Sequence, residues 1–200
     1  MRSSILKLTV LLLYFATGIK ASAEIGDAFN YGDFVYRVTA DGECELLRPR
    51  FENGTVTIPA KVVYNEDTLT VTSIRDNAFY WPPSCYYYGK LILPPTIRHI
   101  GYCAFFNCHF TGELILPDSL VTIGDRAFHS CSGFTGHLKI PDSVTSIGGT
   151  AFDDCFGFTG LTLGKSLTQI GDHVFDSCSG LTGELIFPEN LKSIGGAAFY

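Results

Sequence analysis

The sequence predicts a repeat solenoid, right-handed and β-rich, with a short β cap in front of its coils. Three patterns in one register carry that prediction. Six segments end alike: Ser73 to Phe79 (SIRDNAF), His99 to Phe105, Thr122 to Phe128 (TIGDRAF), Ser146 to Phe152, Gln169 to Phe175 and Ser193 to Phe199. Their closing Phe recurs at intervals of 26, 23, 24, 23 and 24 residues. A strand-like signature keeps the same period at Leu91, Leu114, Leu138, Leu161 and Leu185, with an earlier copy at Val56 to Pro59. A Cys stands three places after the Phe at Cys108, Cys131, Cys155 and Cys178. A fixed period of this length is the mark of one supersecondary unit stacked on itself.

Taken in chain order, residues 1–23 read as an export signal. Arg2 and Lys7 precede the apolar run from Leu8 to Gly18, which is too short to span a bilayer, and Ala21-Ser22-Ala23 offers small residues for cleavage. No second apolar segment is long enough for a membrane span. Residues 24–50 alternate and turn: Phe34 to Thr39, then Asp41-Gly42, then Cys44 to Leu47 read as a β-hairpin. Residues 51–200 carry about six repeats of 23–24 residues. In each, Leu-x-Leu places Leu114 and Leu116 inward and Ile115 outward on a short strand, because strand side chains alternate. Pro or Gly ends that strand. Leu120 and Ile123 add two inward residues, Gly124 allows a bend, and Ala127-Phe128 close the coil as a short helical or irregular turn. One coil cannot bury its own apolar face, so stacking must complete each core layer. The sequence ends at Tyr200, halfway through a coil, and reads as C-terminally truncated.

Over roughly residues 51 to 200, the pattern LxIPdSlxxIGdxAFxxCsgfTGe resembles the BspA-type leucine-rich repeats of bacterial surface proteins. It departs from the commoner leucine-rich consensus in carrying Cys where that consensus has Asn. The hairpin from Phe34 to Leu47 resembles the β cap that leads such repeats. The resemblance implies an adhesion-type role: binding host matrix proteins, other cells or surface glycans.

Composition excludes several functions. Charged residues make up 17% and hydrophobic residues 46% of the 200, which argues against disorder. The formal charge is −6, and it becomes −9 from Glu24 onward, because three of the 14 basic residues and no acid lie in the first 23. With no Lys/Arg run, nucleic acid is not an expected partner. Seven cysteines in an exported chain invite disulfides. Yet stacked coils hold equivalent Cβ atoms about 4.8 Å apart, against about 3.8 Å in a disulfide, so the ladder cysteines are expected to be buried thiols. Cys44, Cys85 and Cys103 fall outside that register, and a Cys85–Cys103 pair stays open. No Cys-x-x-Cys occurs, and His99, His109, His129, His137 and His173 occupy different registers, so no metal or cofactor is expected. Asp118, Asp125, Asp142 and Asp172 occupy turn positions, where Asp bonds its own backbone. There is no nucleophile elbow, phosphate loop or dinucleotide fingerprint, and an enzyme is not expected.

Two surfaces remain as candidate binding sites. The segment from Tyr80 to Gly89 interrupts the repeat and carries Tyr80, Trp81, Tyr86, Tyr87 and Tyr88, a composition suited to protein or sugar contacts, or simply to covering the first coils. The outward strand positions Ile92, Ile115, Lys139, Thr162 and Ile186 form a ribbon with three exposed Ile. The reading is a secreted or cell-surface non-catalytic binding and adhesion protein for an extracellular protein or glycan ligand. The alternatives are a carbohydrate-binding accessory module using residues 80–88, a hydrolase with an unrecognised carboxylate site, and a spacer that displays a further C-terminal domain.

Overall fold

Each coil is too short to satisfy its own backbone, and the arrangement of strands follows from that. The computed structural model describes residues 22–50, 54–80 and 88–200. β1 (Ala28–Tyr31), β2 (Phe34–Ala40) and β3 (Glu43–Pro49) form an antiparallel meander. After β4 (Val56–Thr57) and β5 (Lys61–Tyr64), the long β6 (Asp67–Ile74) runs parallel to β3, pairing Cys44 with Val71 and Leu46 with Ile74. The front hairpin is therefore hydrogen-bonded into the same sheet as the coils. Glu43 on β3 also accepts hydrogen bonds from Arg98 and from Thr72 Oγ1, tying the front to the next coil.

Beyond β7 (Leu91–Ile92), the coils contribute β8 (His99–Ile100), β9 (Thr122–Ile123), β10 (Gly136–Lys139), β11 (Ser146–Ile147), β12 (Phe158–Thr162), β13 (Gln169–Ile170) and β14 (Ser193–Ile194). The main sheet runs β1-β2-β3-β6-β8-β9-β11-β13-β14, with β5 on the side of β6, and every pair from β3 onward along it is parallel. Its coil strands lie on the Ile-Gly segments, not on Leu-x-Leu. The Leu-x-Leu positions pair as strands only between β4 and β7 and between β10 and β12; the copies at 114–116 and 185–187 form none. Their inward alternation still holds: Leu114 and Leu116 are buried and Ile115 is exposed. Leu114, Leu138 and Leu161 form a buried column, with Leu185 partly buried against the same core.

The Phe turn contains no helix. Residues two before and two after the Phe sit at left-handed φ: Cys103 and Asn107, Arg126 and Ser130, Thr150 and Asp154, His173 and Ser177, all between 50° and 60°. Each such residue costs about 1–2 kcal/mol of intrinsic preference. The conformation turns alternate N–H groups toward the next coil. Phe105 N donates to Ala127 O at 2.8 Å, Phe128 N to Ala151 O at 2.8 Å and Phe152 N to Val174 O at 2.9 Å. On the sheet side the polarity reverses: Gly124 N donates back to Ile100 O at 2.8 Å and Gly148 N back to Ile123 O at 2.9 Å. Both neighbours are needed to saturate one coil.

Two aromatic columns fill the interior. Phe79, Phe105, Phe128, Phe152, Phe175 and Phe199 stack with centroids 4.8–5.5 Å apart. A second column of Phe110, Phe134 and Phe158 stacks at 6.1 and 6.4 Å and meets the first edge-on. Cys44, Cys103, Cys131, Cys155 and Cys178 are free thiols, and Cys108 is buried in the same ladder; Cys85 lies outside the described residues. Along the ladder, Cys131, Cys155 and Cys178 each donate Sγ–H to the Phe carbonyl of the preceding coil at 3.0–3.1 Å. That bond explains a small weak donor at this place better than burial alone. Burial pushes the Cys178 thiol up to about 12 and raises Cys131 and Cys155 well above the ordinary range.

Gly124 is there for space, not for a bend. A Cβ on it would lie 2.7 Å from Gly101 C and 2.8 Å from Tyr102 N, both backbone atoms of the preceding coil. Gly149, one coil on, has nothing nearer than Asp172 O at 3.4 Å. Gly124→Ala is expected to lower stability by about 2–3 kcal/mol and Gly149→Ala to stay within about 0.5 kcal/mol, measured as urea midpoints; equal effects would refute the close-approach account. Thiol labelling at neutral pH should leave the folded protein nearly unmodified and find at least five reactive thiols in denaturant.

Candidate binding face

The outward ribbon is assembled by register. β4 and β7 pair Thr57 with Ile92, and β10 and β12 pair Lys139 with Thr162, while Ile115 and Ile186 hold the equivalent repeat positions without strand pairing. Ile92 is 47% exposed, Ile115 71% and Ile186 73%, and Lys139 and Thr162 are exposed as well. Thr57 extends the line at the front, a member the sequence reading omitted although the copy at Val56 to Pro59 marks its place. Beside the ribbon a depression of about 300 Å³ is lined by Ile115, Leu116, Asp118, His137 and Lys139. His137 Nε2 lies 2.7 Å from Thr162 Oγ1, which holds the imidazole along the ribbon edge. Asp142 accepts the Lys165 backbone N–H at 3.1 Å, and that bond, with the Lys165 ammonium 3.4 Å away, holds its carboxyl below the usual range. The face thus alternates in character along the rod: Ile92 and Ile115, then Lys139 and Thr162, then Ile186, with Asp142 and Lys165 paired nearby.

The aromatic segment is described only at its ends. Tyr80 packs edge-on against Phe106, centroids 5.2 Å apart, and Tyr88, 56% exposed, stacks on His109 at 6.0 Å. Trp81, Tyr86 and Tyr87 lie outside the described residues. Tyr80 belongs to a column formed by the residue after each buried Phe: Tyr80, Phe106, His129, Asp153 and Asp176.

Along that column the chemistry changes. Phe106 stacks on His129 at 4.9 Å. His129 Nδ1 then lies 3.2 Å from Asp153 Oδ2, and Asp176 Oδ2 meets His173 Nδ1 at 2.7 Å. The sequence reading found no convergent partner set for any histidine. The structure corrects this: His129, Asp153 and Asp154, all partly buried, bring ligand atoms within 4.8 Å of one another. The signal was present in the register, since residues 129 and 153 occupy equivalent places in adjacent coils. Burial raises the Asp153 carboxyl, opposed by His129 and reinforced by Asp154 and Asp176. These three carboxylates line neither the depression beside the ribbon nor the cavity of about 460 Å³ among Phe175, Cys178, Leu181, Leu185 and Phe199.

The turn aspartates also differ from expectation. Asp125 Oδ1 accepts Gly149 N at 2.8 Å, and Asp172 Oδ1 accepts Gly196 N at 2.7 Å. Each carboxylate bonds the backbone of the next coil instead of its own, so these acids are committed to stacking.

A family profile described as BspA type leucine rich repeat region matches residues 72–200 in six copies. Among solved structures, a leucine rich cell surface protein from Faecalibacterium prausnitzii is similar over 89% of this chain and 53% of its own, at 24% identity and a TM-score of 0.63. A Treponema pallidum leucine rich repeat protein is similar over 84% of this chain and 86% of its own, at 26% identity and a TM-score of 0.65. The pneumococcal vaccine antigen PcpA is similar over 86% of this chain and 47% of its own, at 23% identity and a TM-score of 0.66. This chain therefore spans about half the length of the Faecalibacterium and pneumococcal proteins. Among curated proteins no sequence match is found.

The hydrogen bond that His173 donates to the Asp176 carboxylate raises the His173 pKa above the ordinary 6.5, and the same bond lowers that of Asp176. The pair's contribution is complete below the ordinary histidine pKa and is lost as pH rises through the raised one; on the acid side it is lost as pH falls through the depressed carboxylate. An NMR titration should place His173 above 6.5, and Asp176→Asn should return it toward that value; an unchanged midpoint would refute the pairing.

Proposed function

The chain belongs to the BspA-type leucine-rich repeat family, and from that premise we propose that it is an exported or cell-surface, non-catalytic adhesion protein whose outward ribbon grips an extracellular protein. Membership supports a repeat-based binding or scaffold role, and the family and its solenoid fold are typically non-catalytic. The finer reading rests on one observation: Ile92, Ile115 and Ile186 are exposed at equivalent positions of the repeat, with Lys139 and Thr162 exposed at the two positions between the last two. Side chains exposed one per coil, three of them Ile, offer many shallow contacts over a long surface, which suits a macromolecule better than a small ligand. Export rests on the pattern of residues 1–23 and on the cell-surface description of the Faecalibacterium protein. No helix among the described residues is long and apolar enough to cross a membrane.

Surface plasmon resonance against a panel of extracellular matrix proteins, run beside a glycan array, tests the proposal. Binding to a protein should fall at least tenfold in the double variant Ile115→Asp/Ile186→Asp, while its urea midpoint moves by no more than about 0.5 kcal/mol, since both positions face solvent. Undiminished binding by that variant removes the ribbon from the contact. A glycan signal abolished by Trp81→Ala, with no protein bound, replaces adhesion by sugar recognition through the aromatic segment.

A further inference from the structure

The column after the buried Phe residues ends in groups that stacking does not require. His129 Nδ1 is wholly buried, yet it makes no hydrogen bond, although Asp153 Oδ2 is only 3.2 Å away. The two atoms therefore meet off the N–H axis, side by side. Asp154, adjacent in sequence and at left-handed φ, brings its own carboxylate to the same place, where Ser130 Oγ donates to it at 3.4 Å. Asp176 stands next along the column, but its Oδ2 is engaged by His173. Carboxylates outnumber the imidazoles facing them, and the surplus charge is partly withdrawn from water.

We propose that His129, Asp153 and Asp154 form a binding site for a first-row divalent cation of the zinc class. The donor set argues for this class: one imidazole nitrogen with two carboxylates suits a borderline ion, whereas calcium takes six to eight oxygens. The geometry agrees. With bonds of about 2.0–2.1 Å, two ligands of a tetrahedral ion stand roughly 3.3 Å apart, and the Nδ1 to Oδ2 separation is 3.2 Å. Asp154 completes the set by a side-chain rotation, and the fourth position is left to water or to a donor from a partner. Phe106, stacked on the imidazole, fixes the ring plane much as outer groups orient metal-bound histidines. The site uses no residue of the outward ribbon, so it stands apart from the adhesion reading.

Calorimetric titration of chelator-treated full chain with zinc is expected to give one saturable site at micromolar affinity or tighter. His129→Gln and Asp153→Asn should each weaken it at least tenfold, with metal-free urea midpoints checking that both variants fold. Asp154→Asn serves as a second, milder variant. His173→Gln and His137→Gln should leave affinity unchanged. Cobalt added in place of zinc should give visible ligand-field bands without a thiolate charge-transfer band. Absence of stoichiometric binding, affinity retained in both His129→Gln and Asp153→Asn, affinity lost in His173→Gln, or a thiolate band would each overturn the assignment.

Discussion

Backbone hydrogen bonding between successive coils is the constraint on which everything else in this molecule depends. The coil strands of the main sheet are two residues long from β8 onward, and the Phe turn satisfies only alternate N–H groups within its own coil, as Ala127 N to Gly124 O and His129 N to Arg126 O. Donors on the turn side point forward and donors on the sheet side point back. Leaving a buried N–H or C=O without a partner costs about 1–3 kcal/mol, so a coil detached from either neighbour loses several such groups at once. That explains why left-handed φ is tolerated at Arg126 and Thr150, residues with no local preference for it. The strain is offset by bonds that only this conformation makes. It also explains the two Phe columns: once backbones stack at a fixed spacing, identical side chains must stack too, and flat rings do so with little loss of packing.

Much of this was legible in the sequence. The period, the inward Leu positions, the coil-closing Phe and the buried ladder cysteines all follow from side-chain pattern, which records burial. What the pattern did not record is backbone direction. Leu-x-Leu and Ser-Ile-Gly both place an apolar residue inward, and alternation alone assigns the strand to the longer run. The structure places the continuous sheet on the shorter one, because there the glycine lets backbones approach and pair. Gly124 was read as a bend for the same reason: a missing side chain looks alike whether it frees φ or vacates space. The aspartates show a further gap. Asp125 in sequence is a turn former; in three dimensions the residue it bonds, Gly149, is a whole coil away.

The candidate site was legible in part. Ile115 and Ile186 were placed outward by strand alternation, and the register makes a line of them. Tyr80 was grouped with Trp81 and the later tyrosines because they are adjacent in sequence. Its ring instead belongs with Phe106, from the next coil. The His129 and Asp153 pair is not legible locally, because the two residues lie a whole coil apart in sequence and only the stacking register brings them together.

In a solenoid, the unit of surface chemistry is the column, and this follows from the same constraint. Stacking fixes which residues meet, one coil apart, whatever they are, provided the inward set is kept. A column can therefore change character along the rod without cost to the core. The line after the buried Phe does so: Tyr80 on Phe106 is an aromatic contact, Phe106 on His129 still stacks, and His129 beside Asp153 has become a polar pair. The imidazole is the residue that permits the change, since its face packs like a phenyl ring while its edge presents nitrogen. The outward ribbon varies by the same rule, from Ile115 to Lys139 to Thr162 to Ile186, over Leu114, Leu138 and Leu161 that stay buried beneath it. Surface character on such a rod is set one residue per coil, so a substitution in one coil changes the surface there while the Leu column beneath it is unchanged.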